Sequence, residues 1–220
     1  MAKVQPAKKL STKEKIIKTA IQMFNDQGIQ RVTCRHIAEE MGISYGNLNY
    51  HYNNKEALLL AIYEQMRDEM SNSYLLREEY PTAFEHFYRL LAHLEQFQYK
   101  YRFFNLDVLE ISRTYSPINR ILQKTLKIRK KQMTELFKQF VNEGYLTKRP
   151  KEEYERVQHM IRIVITFWLS QEEILTGFQS GNKQGMSGHI WELLRPYMTK
   201  QGLAEYDKLE TGFSYVFNSQ

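Results

Sequence analysis

Asn47, Asn49, Tyr50 and His51 stand within five residues of one another, with Gly46 before them and Lys55 just beyond. These are planar hydrogen-bonding groups, and only Lys55 carries a full charge. An Asn amide can pair bidentately with an adenine edge, and a phenol or ammonium suits a phosphate oxygen. Bare Gly46 lets a base edge or a thymine methyl come close. A surface helix facing only water would carry Lys and Glu at these places. The chemistry implied is recognition of a DNA duplex.

Two short helices and a tight turn must position those groups. Thr33 is an N-cap, and Ile37, Ala38 and Met41 share one helical face behind it. Gly42 ends that helix where positive φ is needed, and Ser44 caps the next after Ile43 alone. So short a turn holds two helices at a steep angle, the helix-turn-helix arrangement. With Leu48 facing inward, Gly46, Asn47, Asn49 and Tyr50 project outward and His51 lies at the margin. A first helix precedes the pair: Ser11 and Glu14 form a capping box, Ile16, Ile17, Ala20, Ile21 and Phe24 make its inner face, and Gly28 stops it. Asn53 or Asn54 caps a fourth, which carries Leu58, Leu59, Ile62 and Met66 towards about residue 75.

Segment 11–65 resembles the DNA-binding domain of the tetracycline-repressor (TetR) family of bacterial transcription regulators. The matching stretches are KIIKTAIQMFNDQGIQRVTCRHIAEEMGIS and GNLNYHYNNKEALL. The resemblance implies DNA contacts from Thr33, Arg35, Ser44, Tyr50, His51 and Lys55. With the outward face of the second helix, the expected DNA-contacting set is Thr33, Arg35, Ser44, Tyr45, Gly46, Asn47, Asn49, Tyr50, His51 and Lys55. Asn49 departs from the family, which usually carries Tyr there, so Asn49 is expected to read a base where Tyr would clamp a phosphate.

Charge agrees with a nucleic-acid module joined to something else. Of the formal +6, residues 1–55 hold nine basic against four acidic side chains, a net +5. Residues 1–10 read as a basic arm, 11–75 as the helix-turn-helix unit with its linking helix, and 76–220 as a larger helical unit. With 42% hydrophobic residues the chain can bury a real core as one large or two small domains. Cys34 is the only cysteine, so no intramolecular disulfide can form. Residues 1–10 lack the apolar core of a signal peptide, and no apolar run approaches a membrane span. A soluble cytoplasmic protein is the expectation.

The fold class expected is all-α. Beyond Pro81, helices are predicted at about 82–100, 103–113, 117–143, 151–178 and 186–200. Phe97–Phe104 alternates with period two but has nothing to pair with, so helix is preferred over strand. The tail bearing Phe213, Tyr215 and Phe217 is ambiguous. Val157, Met160, Ile161, Val164, Ile165, Trp168 and Leu169 make an apolar surface too wide for one side of a small bundle. Together with Ile190, Trp191, Leu193, Leu194 and Tyr197 they predict a homodimer through the helices at 151–178 and 186–200.

No catalytic constellation is found. His86 and His93 are seven apart with no third ligand in register, and no phosphate-cradling loop or nucleophile elbow appears. No metal and no cofactor are expected. The aromatic load of the C-terminal part is mostly core. In the resembled family, however, this region encloses an inducer cavity, so a small-molecule inducer is the expected partner beside palindromic double-stranded DNA. The expected ligand site comprises Tyr101, Phe104, Asp107, Glu110, Tyr115, Phe137, Phe167, Trp168 and Gln171. A neutral or acidic lipophile is slightly favoured, with Arg102 or Arg113 near an acid. The resemblance thus implies a homodimeric repressor released from a palindromic operator by a small lipophilic ligand; the alternative is a regulator of the same fold that acts as an activator or answers to a protein partner.

Overall fold

The structure is a computed structural model describing residues 10–75, 80–174 and 185–217. Its first three helices are α1 (Thr12–Gln27), α2 (Cys34–Glu40) and α3 (Tyr45–His51). Each begins on a side chain that satisfies an orphan backbone donor. Ser11 Oγ accepts from the Glu14 N–H at 3.2 Å while Glu14 reaches back to the Ser11 N–H at 2.7 Å. Thr33 Oγ1 accepts from the His36 N–H, and Ser44 Oγ from the Asn47 N–H, both at 3.2 Å. Ile16, Ala20, Phe24, Ile29, Val32, Ile37 and Leu48 are buried together between these helices and the start of α4.

Helix α4 (Lys55–Leu75) is capped by Asn54, whose Oδ1 accepts from the Ala57 N–H at 2.8 Å. It touches α1 at one end and α5 (Ala83–Lys100) and α8 (Ser116–Asn142) further along. Between α5 and α8 run α6 (Arg102–Leu106) and α7 (Val108–Thr114). The single helix expected over 103–113 is thus two, broken at Asp107, where the backbone leaves helical geometry at φ −103°, ψ 15°. The Phe97–Phe104 stretch is helical on both sides of the Tyr101 turn, as preferred over strand.

The remaining elements are α9 (Lys151–Ile174), α10 (Met186–Leu194), a 3-10 turn (Arg195–Tyr197) and α11 (Lys200–Phe217). The expected helix over 186–200 stops at Leu194, because Pro196 cannot donate to a continuing ladder and its ring crowds the preceding turn. Met198 turns extended and makes an isolated antiparallel bridge with Leu146. The ambiguous tail is helical in its backbone as far as Phe217, while the side chains of Phe213, Tyr215 and Phe217 lie outside the described residues. So do residues 175–178 of the expected 151–178 helix, and the basic arm apart from exposed Leu10.

The core of this larger part is aromatic. Phe84 meets Phe140 edge-on at 5.5 Å and lies 5.1 Å from Trp191, and Phe87 lies 5.5 Å from both Phe140 and Trp191. Truncating any one of these rings to Ala is expected to cost about 3–5 kcal/mol. No strand is present among the described residues, and none of their helices is long and apolar enough to cross a membrane.

Candidate nucleic-acid interface

The turn between α2 and α3 is as tight as the spacing predicts. Gly42, at φ +64°, donates its N–H to Glu39 at 3.0 Å, and Ile43 donates to Ala38 at 3.0 Å. An L side chain is rarely stable in that left-handed region, so Gly belongs there. Leu48 is fully buried and anchors α3, while Tyr45, Gly46, Asn47, Asn49 and Tyr50 are exposed. Tyr50 is 87% exposed, so core packing does not account for a phenol at that position. His51 is half-buried and meets the Tyr50 ring edge-on at 5.3 Å.

Exposed Arg35 places its guanidinium 5.4 Å over the Tyr45 ring, tying α2 to the first residue of α3. The Thr33 and Ser44 oxygens accept as caps, which leaves each hydroxyl proton able to donate outward. Gly46 is a different case from Gly42. Its backbone is helical, and a methyl group added there would meet nothing nearer than Ser44 Oγ at 3.9 Å. Nothing inside the protein requires a glycine at 46.

Lys55 stands apart from this face. It is half-buried, donates from Nζ to the Ile29 carbonyl, and lies 5.7 Å over the Phe24 ring. Burial lowers its pKa, with smaller opposing effects from Cys34 and Asp107. Cys34 is buried, and that burial pushes its thiol up.

Several residues expected around a ligand instead fasten the two parts of the molecule together. Asp107 Oδ2 accepts from the Ile29 N–H at 3.2 Å. Tyr101 is fully buried; its hydroxyl donates to Glu69 at 2.8 Å and accepts from Gln65 at 3.0 Å, both on α4. Arg102 spends its guanidinium on the Asn25 carbonyl at 2.9 and 3.1 Å and pairs with Asp26 at 3.4 Å. Asn25 in turn donates to the Lys100 carbonyl at 2.9 Å and accepts from the Phe103 N–H at 3.0 Å. The end of α1 is therefore gripped by the α5–α6 corner.

A cavity of about 270 Å³ opens between α4, α5, α6, α7, α8 and α9. Of the nine expected ligand residues, Phe104 lines it, stacked on Tyr63 at 5.1 Å. The others are placed elsewhere. Glu110 is exposed and accepts from Thr114 at 2.8 Å, and half-buried Tyr115 sits at the α7–α8 corner. Phe137 packs in the core against Phe140 and Tyr154. Trp168 is buried and donates to Gln98 at 2.7 Å. Phe167 and Gln171 are exposed and, with Trp168, line a second groove between α9 and α10. Neither Arg102 nor exposed Arg113 lines the first cavity.

Three arginines that do line it went unread in the sequence: Arg67, Arg129 and Arg162. A signal existed. Leu122, Thr125, Leu126, Arg129 and Met133 follow i, i+3, i+4, i+7 and i+11, so Arg129 is the one charge in a mostly apolar stripe of α8. Among the described residues no cluster of His, Cys, Asp and Glu is arranged to hold a metal ion.

Comparison with known proteins converges on one family. The profile described as "Bacterial transcriptional repressor" of the TetR family matches residues 65–206, and that described as "Bacterial regulatory proteins, tetR family" matches residues 16–62. The tetracycline repressor protein class C of Escherichia coli is 41% identical over 54 residues, 24% of this chain and 25% of that protein. The uncharacterized HTH-type transcriptional regulator YerO of Bacillus subtilis is 48% identical over 52 residues, 24% of this chain and 18% of that protein. These matches thus span a quarter or less of each relative's length. A solved TetR-family transcriptional regulator from Marinobacter aquaeolei VT8 superposes with a TM-score of 0.80 at 22% identity, covering 91% of this chain and 99% of that one. The helix-turn-helix with its polar α3, the all-helical body and both profile matches lead to one statement: this chain belongs to the TetR family of bacterial transcriptional regulators, which act by binding DNA and not by catalysis.

Proposed function

We propose that this regulator is a cytoplasmic homodimeric repressor that holds a palindromic operator through α3 and lets go when a small ligand fills the cavity beside α4. The observation that carries the reading is the exposed face of α3. Two amides, a phenol and a bare glycine point outward with no full charge among them, and Tyr50 at 87% exposure has no structural task. On this reading Asn47 and Asn49 read base edges, and Thr33, Arg35, Ser44, Tyr45 and Tyr50 hold phosphates. His51 steadies Tyr50. Lys55 works from behind, holding the turn before α2 by the Ile29 carbonyl.

Residues 11–75 serve as the DNA-binding unit with its linking helix, and 76–220 as the unit for ligand and dimer. Support for the dimer comes from one row on α9. Met160, Ile163, Phe167 and Ile174 are exposed at helical spacing, and Leu193 and His189 of α10 flank the same groove. Four helices paired across a two-fold axis would bury this row in an apolar interface. Ligand in the α4–α9 cavity acts by favouring a protomer shape whose two α3 helices no longer fit successive major grooves.

Selection of genomic fragments by the purified protein tests the proposal. An enriched inverted repeat whose affinity falls steeply with salt is expected. Recovery of no inverted repeat contradicts it.

A further inference from the structure

The cavity between α4, α5, α6, α7, α8 and α9 has a lopsided chemistry. Its body is apolar, built from Met66, Met70, Leu94, Phe97, Phe104 and Leu122. Among the described residues its charged lining consists of Arg67 from α4, Arg129 from α8 and Arg162 from α9. No aspartate or glutamate stands among the described residues that line it. We infer that this cavity takes an amphiphile with one anionic head, a carboxylate or a phosphate monoester, and a single apolar chain. The inference rests on the reading of this cavity as the ligand site.

The arginines are placed to meet such a head. Arg129 donates to Gln132 Oε1 at 2.8 Å and to Ser71 Oγ at 3.4 Å, which draws its guanidinium towards α4, the helix of Arg67. Both guanidiniums act on the same phenol. Burial raises the pKa of Tyr63, and its hydrogen bond to Thr125 and the charges of Arg67 and Arg129 oppose that rise. Arg162 Nη2 lies 3.3 Å from His159 Nδ1 on α9, a helix packed directly against α8. A guanidinium presents five N–H donors in a planar fork, and a carboxylate or phosphate takes two of them at once. A cationic head would meet three like charges and no carboxylate among the described lining residues; Asp68, which pairs with Arg67 at 3.5 Å, is not one of them. An alcohol would gain only neutral hydrogen bonds.

Size and wall chemistry set the tail. A volume of 270 Å³ equals about nine waters at ~30 Å³ each, room for a chain of roughly ten heavy atoms. Met66, Met70 and Met133 line it, and the flexible thioether side chain adapts to chains of unequal length. Leu126, 47% exposed on the rim, leaves the cavity open to entry from solvent.

The test uses the full chain, stripped of co-purifying lipid, in isothermal titrations with decanoate, decyl phosphate, 1-decanol and decyltrimethylammonium, each below its micelle concentration. At least one anion is expected to bind tenfold or more tighter than decanol, and the cation not at all. Decanoate alone or decyl phosphate alone binding this tightly supports the inference and identifies the head. The Arg129→Gln/Arg162→Gln double variant should lose at least tenfold for the anion while decanol stays within twofold, which shows the cavity still formed. Equal binding of decanol or of the cation, anion binding unchanged in the double variant, or no binding by any of the four overturns the inference. Operator affinity measured on the same samples separates the two readings. Anion binding without operator release leaves the ligand class standing and defeats the release mechanism, whereas release by an unrelated molecule with no anion binding does the reverse.

Discussion

The carboxylate of Asp107 accepts the backbone N–H of Ile29 at 3.2 Å, fastening the break between α6 and α7 to the turn that leads into α2. Lys55 holds the carbonyl of the same residue, so both polar groups of buried Ile29 are met by side chains from other elements. Asp107→Ala leaves that N–H unsatisfied and should cost roughly 1–3 kcal/mol, read as a lower urea midpoint. Asp107→Asn keeps an acceptor and should lose less. An Ala variant as stable as the parent would remove Asp107 from this joint.

Gly46 predicts opposite signs for stability and binding. A methyl fits there without a clash, and Ala favours a helix over Gly by up to about 1 kcal/mol. Gly46→Ala should therefore hold or raise the melting temperature while weakening operator binding, because the added methyl stands between α3 and the base edges. Unchanged operator affinity, measured by fluorescence anisotropy, would count against close approach at this position.

Lys55 and Tyr50 should separate in the same assay. Tyr50→Ala removes an exposed side chain and should leave stability within about 0.5 kcal/mol while lowering affinity for every duplex. Lys55→Ala should lower stability first. Because burial depresses the Lys55 pKa, its charge costs stability at neutral pH, and that cost fades as the pH climbs towards the ordinary value of 10.5. The Lys55→Ala variant should lack this alkaline gain, seen by comparing urea midpoints of the two proteins at pH 7 and 10.

Tyr206 titrates in the other sense. Burial, then neighbouring Glu210, pushes its phenol up to about 12. The folded state thus favours the neutral form, so the stability it contributes is whole below pH 10 and lost between 10 and about 12. Tyr206→Phe should lose less stability than the parent across that window. Parallel loss in both proteins would contradict the assignment.

How legible each feature was follows the range of the forces that made it. The caps at Ser11, Thr33, Ser44 and Asn54 are local bonds between residues three apart, and they stand where the sequence puts them. The outward face of α3 follows from helical periodicity around Leu48. Pro196 announces a stop that the reading over 186–200 passed over. The break at Asp107 accompanies a bond to a residue 78 positions away, which no local pattern encodes. For the same reason the aromatic count does not tell which rings line the cavity beside α4: of the nine residues expected around a ligand, Phe104 does. Phe137 and Trp168 are core rings, and Tyr101 and Asp107 serve the joint between the two parts. Arg129, a charge within a mostly apolar stripe of α8, points to that cavity where the aromatic count does not.

The exposed row on α9 carries its own prediction. Phe167→Glu and Ile163→Glu place charges in the middle of the proposed pairing and should convert a dimeric mass into a monomeric one in light scattering, with the helical content unchanged. A parent protein already monomeric at micromolar concentration would defeat the pairing.

The central claim is that the uncharged face of α3 reads DNA sequence. Its most direct test is the ratio of affinities for the selected inverted repeat and a scrambled duplex of the same composition, at fixed salt, for the parent, Asn47→Ala and Asn49→Ala. The account predicts that at least one Asn variant loses about 1–3 kcal/mol on the specific site while its binding to the scrambled duplex barely changes. Equal losses on both duplexes, or no loss on either, would contradict it.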